Sequence, residues 1–158
     1  MLLDDLREWL AGAGRIVVLG VGHPLRMDDF VGVEIIRRLR GKVSERVRLI
    51  ECEDSPESFL NDVIEFSPSH ILIVDAGELG LGPGQVRLVR PEELPQTRAY
   101  STHSLPLSIF CTLIARELGV KIALLLIQPM KTDLGEGLTP QVSASMHKIV
   151  DLLVTILQ

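Results

Sequence analysis

The chain has 158 residues, enough for one compact domain with a sizeable core. Hydrophobic residues make up 46% and the formal net charge is -5, which excludes a disordered tail and a basic nucleic-acid-binding surface. The longest unbroken apolar run, Ile122 to Ile127, is far too short to span a bilayer, and the acidic opening MLLDDLREWL lacks the basic region of a signal peptide.

Leu2 to Ala11 reads as a short amphipathic helix ending at Gly12. Arg15 to Val21 is the first strand. Asp29 to Arg40 follows as a helix stopped by Gly41, with Val33, Ile35, Ile36 and Leu39 at helical spacing. Arg46 to Glu53 is a second strand. Ser55 and Pro56 form a cap followed by proline at the first helical position, so Pro56 to Glu65 is predicted to be helical. Ser69 to Asp75 is a third strand, apolar throughout from Ile71 to Val74.

Ala76 to Gly84 carries four glycines and a proline and reads as a loop. Gln85 to Val89 alternates polar and apolar residues, as an exposed strand does. Pro91 to Thr102 is an irregular connection with one turn at Glu92. Ser104 to Leu118 is helical and stops at Gly119. Lys121 to Ile127 is the fifth strand, Gln128 to Leu138 a loop, and Thr139-Pro140 opens a final helix reaching Leu153 or beyond.

Strands alternating with helices predict a single α/β domain over residues 1–158. The expected architecture is a three-layer α/β/α sandwich with a five-stranded, mostly parallel sheet. The connection Gly82-Pro83-Gly84 is too short for a crossover helix, so strand four is predicted to run antiparallel. Cys52 and Cys111 lie in apolar segments at no metal-ligand spacing and read as buried, inert thiols. The basic cluster from Arg37 to Arg48 is interrupted by Glu45 and preceded by Glu34, as on a solvated helix face.

Chemistry-bearing residues gather at strand ends. Asp28 and Asp29 lie on the connection after strand one, in Gly20-Val-Gly22-His-Pro-Leu-Arg-Met-Asp28-Asp29-Phe-Val-Gly32. Asp75 ends strand three, and His103 opens the helix after the long connection. In open α/β sheets ligands bind at the carboxyl ends of the strands. Two carboxylates and an imidazole suit a divalent transition metal, and they suit acid–base chemistry without one. One of the adjacent acids also fits a helix cap. His23 is a loop residue, His70 falls at the opposite edge of the sheet, and His147 falls within the last helix.

These motifs in order resemble those of the hydrogenase maturation endopeptidases. The opening pattern of that family, Gly-x-Gly-Asn-x-Leu followed by a pair of acids and Gly-x-Gly, is similar to Gly20-Val-Gly22-His23-Pro-Leu25, Asp28-Asp29 and Gly32. Ile73-Val74-Asp75-Ala76-Gly77 resembles the second pattern, and Thr102-His103-Ser104-Leu105-Pro106-Leu107 the third. Gly80-Leu-Gly-Pro-Gly84 and Ile127-Gln128-Pro129 resemble the branch serving formate-hydrogenlyase-type, membrane-bound hydrogenases. The likeness runs from about residue 15 to residue 155.

The resemblance implies an endopeptidase that removes the carboxyl-terminal extension of a nickel-loaded nickel–iron hydrogenase large-subunit precursor. It implies Asp29, Asp75 and His103 as the metal-contacting and catalytic trio, with the nickel presented by the substrate and no organic cofactor. His23 stands where the family pattern has Asn, so His23 and Asp28 are accessory candidates. Phe30 replaces a small residue and is expected to narrow the cleft. The implied partner is the precursor, with no nucleic acid and no membrane insertion, in a cytoplasmic protein for which a monomer is favoured. Two rivals remain: a nickel-recognising assembly chaperone without catalysis, and a nucleotide-binding domain. The second lacks the third fingerprint glycine, because Leu25 stands there.

Overall fold

In the computed structural model, which describes residues 1–94 and 107–158, five strands form one sheet. They are β1 (Ile16–Val21), β2 (Val47–Glu53), β3 (His70–Ala76), β4 (Val86–Val89) and β5 (Lys121–Ile127). The spatial order is β2-β1-β3-β5-β4. β1, β3 and β5 are buried on both faces and are almost continuously apolar, as central parallel strands must be. β2 and β4 lie at the edges and mix polar with apolar residues. All pairings are parallel except β4 with β5, where Val86 stands opposite Ile127. The tight 82–84 connection therefore reverses the chain as expected.

The helices are α1 (Leu2–Trp9), α2 (Val31–Leu39), α3 (Leu60–Phe66), α4 (Leu107–Leu118) and α5 (Pro140–Leu157). Alternate strand residues face opposite layers. Ile16, Val18, Leu72, Val74, Ala123 and Leu125 pack with α1, α2 and α5. Val17, Leu19, Ile71, Ile73, Leu124 and Leu126 pack with α3 and α4. The result is the predicted α/β/α sandwich.

Three helix starts or ends depart from the sequence expectation, two because a backbone group finds a partner outside the helix and one because its first turn closes with tighter bonds. α1 stops at Trp9 rather than Ala11, and the Trp9 carbonyl bonds the His70 ring Nε2 at 3.1 Å. The helix expected from Asp29 begins as a 3-10 turn, Met27–Phe30, and α2 proper starts at Val31. There the Met27 and Asp28 amides donate to the carbonyls of Gly135 and Lys131 in another loop. The helix expected from Pro56 likewise opens as a 3-10 turn, Pro56–Phe59, where the Ser58 amide bonds the Ser55 carbonyl.

Candidate active site at the carboxyl ends of β1 and β3

β1 and β3 are neighbours, with Gly20 in register with Val74. β1 leads through α2 to β2 on one side of the sheet. β3 leads through β4 and α4 to β5 on the other. Adjacent strands whose connections leave in opposite directions open a crevice at their carboxyl ends, where doubly wound folds bind ligands. Asp29 sits on the 3-10 turn after β1, and Asp75 is the penultimate residue of β3. Both side chains are buried. His103, the third member of the expected trio, lies outside the described residues. Among the described residues no three metal-ligating side chains converge.

The glycine pattern places Asp29. A Cβ at Gly32 would run into the Val74 carbonyl oxygen and would meet that of Val21 at 2.6 Å, so only glycine lets the start of α2 rest on the ends of β1 and β3. A Cβ at Gly22 would run into the Asp29 carbonyl oxygen. Close approach of backbone, rather than phosphate binding, is what these glycines provide. With the turn pressed against the strands, the Asp29 Oδ2 accepts the His23 amide N–H at 3.0 Å.

The paired acids divide their work. Asp28 is fully buried and caps neither its own turn nor α2. Its Oδ2 accepts the amide N–H groups of Met130 at 2.9 Å and Lys131 at 3.0 Å and the Thr139 hydroxyl at 2.7 Å. Its Oδ1 accepts the Thr139 amide N–H at 2.7 Å. Such charge-assisted bonds to backbone amides offset the desolvation of a buried carboxylate. Asp28 thus fastens the 128–138 loop and the start of α5 to the turn carrying Asp29. Thr139, at the position preceding α5, turns its hydroxyl to Asp28 and makes no side-chain cap of its own helix.

His23 offers a hydrogen-bond donor in this arrangement. Its ring Nδ1 accepts the Leu25 amide N–H at 3.0 Å, which puts the ring proton of the neutral form on Nε2. Phe30 packs under the Arg37 guanidinium of α2, 4.9 Å from ring centroid to cation. The ring, on the same 3-10 turn that carries Asp29, is therefore held against the guanidinium of α2. Arg37 and Arg40 both pair with Glu51, Arg38 with Glu34 and Arg48 with Asp62, so most of the basic cluster is ion-paired on a solvated face.

Gln128 enters the sequence reading only within the Ile127-Gln128-Pro129 resemblance, and the structure gives it a buried role in holding loops together. The Gln128 Oε1 accepts the amides of Leu79 at 2.7 Å and Leu81 at 3.3 Å, while its Nε2 donates to the Glu78 carboxylate at 3.1 Å. It ties the 78–84 loop to the end of β5, so this loop and the 128–138 loop are both fastened at the carboxyl end of the sheet. The available signal was a polar residue directly after an apolar strand and before proline. His70 makes two ring hydrogen bonds at the far edge, and His147 is exposed on α5.

A doubly wound α/β domain with buried carboxylates at its switch point is the class that fold and site define. The hydrogenase maturation protease family model, HycI, matches residues 33–156, and the chain belongs to that family. It is 28% identical to the hydrogenase 3 maturation protease of Escherichia coli K12 over 72% of each chain. The crystal structure of the [NiFe] hydrogenase maturation protease HycI from Thermococcus kodakarensis KOD1 is similar at a TM-score of 0.89 and 31% identity, over 97% of this chain and 98% of that one. The E. coli hydrogenase maturating endopeptidase HybD is similar at a TM-score of 0.77 and 28% identity, over 90% and 91%. The activity of the family is that of a peptidase in hydrogenase maturation, through carboxyl-terminal processing of the large subunit. No helix among the described residues is long and apolar enough to cross a membrane.

Proposed function

We propose that this chain cleaves the carboxyl-terminal extension from a nickel-loaded nickel–iron hydrogenase large-subunit precursor, with Asp29, Asp75 and His103 acting at the nickel that the precursor presents. The observation that carries the reading is the burial of Asp29 and Asp75 at the carboxyl ends of adjacent strands, where the fold opens its crevice. Carboxylate oxygens and an imidazole nitrogen accept a borderline divalent metal such as nickel. An empty precursor offers these ligands nothing, so the metal itself links the two proteins and gates the reaction.

Two chemical routes use the same acids. The nickel polarises the scissile carbonyl and activates a water. Alternatively one carboxylate takes the proton of the attacking water, and the metal serves to dock the substrate. In both, Asp28 holds the site's loops and stays out of the chemistry. The enzyme acts in the cytoplasm, as a monomer, and takes no organic cofactor or nucleic acid.

The test is the intact mass of the precursor after incubation with the enzyme, in nickel-loaded and nickel-free forms. Loss of a short carboxyl-terminal peptide from the loaded form alone is expected. A stable complex with no change in mass would replace the peptidase by a nickel-recognising chaperone. Asp75→Asn is expected to lower kcat/KM by roughly 10²–10⁴-fold, the range for a positioned acid or base. Unimpaired processing by a folded Asp75→Asn variant would remove that residue from the mechanism.

A further inference from the structure

Large apolar side chains that stay exposed are concentrated beside this crevice. Six are found among the described residues, and three of them, Leu25, Met130 and Leu134, sit on the two loops that Asp28 fastens together. Leu134 is 84% exposed, Met130 49% and Leu25 45%. Their backbones are held. The Leu25 carbonyl accepts the Gly135 amide at 2.8 Å, and the Met27 amide donates to the Gly135 carbonyl at 3.2 Å. Arg26 and Gly135 form a parallel bridge, so the backbone segments that carry Leu25 and Leu134 lie side by side. Beside them is a depression of about 450 Å³ whose lining mixes apolar residues such as Phe30 and Leu138 with the charged Glu34, Arg37 and Arg38 of α2. The exposed charges around the rim, Arg26, Lys131, Asp133 and Glu136, are of both signs.

From this we infer that Leu25, Met130 and Leu134 form an apolar docking rim for the folded body of the large-subunit precursor, next to the acids that meet its cleavage region. The inference rests on the peptidase reading and adds how the substrate is held. A loop fixed by its own hydrogen bonds loses little freedom on binding, so burying its side chains yields affinity rather than ordering cost. Apolar contacts of this kind sit at the centre of protein interfaces, with charges at the edge. The mixed signs give no long-range steering, so recognition depends on contact.

The test compares wild type with Leu134→Ser and Leu25→Ser, using nickel-loaded precursor for both cleavage kinetics and direct binding. Leu113→Ser, similarly exposed but on α4, is the control. The rim variants are expected to raise KM and Kd about tenfold or more, the effect of removing one interface anchor, with kcat little changed. Leu113→Ser is expected to match wild type. Wild-type cleavage with an unchanged kcat/KM in both rim variants would overturn the docking rim and leave the peptidase reading standing. If wild type does not cleave, the peptidase reading fails, and the Kd values still decide the rim. Equal weakening by Leu113→Ser would also overturn the rim.

Discussion

Thr139→Val tests the clamp at Asp28 with little change in volume. The substitution removes one hydroxyl donor, 2.7 Å from a buried carboxylate oxygen, and keeps the Thr139 amide donor on the other oxygen. Thr139 is itself buried, so water does not readily replace the hydroxyl. A hydrogen bond to a charged group contributes about 1.5–3 kcal/mol, and that is the expected loss in urea unfolding. For a chain of this size, Tm falls by roughly 2–4 °C per kcal/mol. Asp28→Asn is expected to cost more. With its carbonyl oxygen at the Met130 and Lys131 amides, its NH2 group faces the Thr139 N–H, leaving buried donors opposed at about 1–3 kcal/mol each. Amide hydrogen exchange supplies the local readout, because Met130, Lys131 and Thr139 are expected to lose protection before the central strands do. A loss below about 0.5 kcal/mol for Thr139→Val, with exchange unchanged at these amides in Asp28→Asn, would refute the clamp.

Gly32→Ala is expected to destabilise by more than about 3 kcal/mol in denaturant unfolding, because its Cβ meets the Val74 backbone, which cannot swing aside as a side chain does. Wild-type stability in that variant would contradict the close packing of α2 on β3. Cys52 and Cys111 are buried, and burial pushes each thiol up to about 12. Neither is expected to react with a thiol reagent at pH 8 faster than the chain unfolds, and a fast native burst would show otherwise. His70 is held below the usual 6.5, first by burial and then by Lys121, against the raising effect of the Trp9 carbonyl. Its stability contribution is therefore complete above pH 6.5 and lost as pH falls through the lower folded value. An NMR titration of its ring is expected to give a midpoint below 6.5, and a midpoint above would reverse the sign.

Periodicity alone determined the layers of this protein. The apolar runs of β1, β3 and β5 announce central parallel strands, and the tight Gly82-Pro83-Gly84 connection announces the reversed fourth strand, because local sterics and burial act within a few residues. The acids at strand ends were legible for the same reason, since a carboxylate directly after four apolar residues, as at Asp75, has few structural explanations. What each acid does was not legible. Asp28 and Asp29 are chemically identical neighbours, and only the arrival of Met130, Lys131 and Thr139, more than a hundred residues away in sequence, makes Asp28 the anchor. Gln128, Phe30 and the exposed rim depend likewise on contacts between loops far apart in the chain. Sequence patterns report burial along one element, whereas hydrogen-bond partners between loops are fixed only when the sheet brings their ends to one edge.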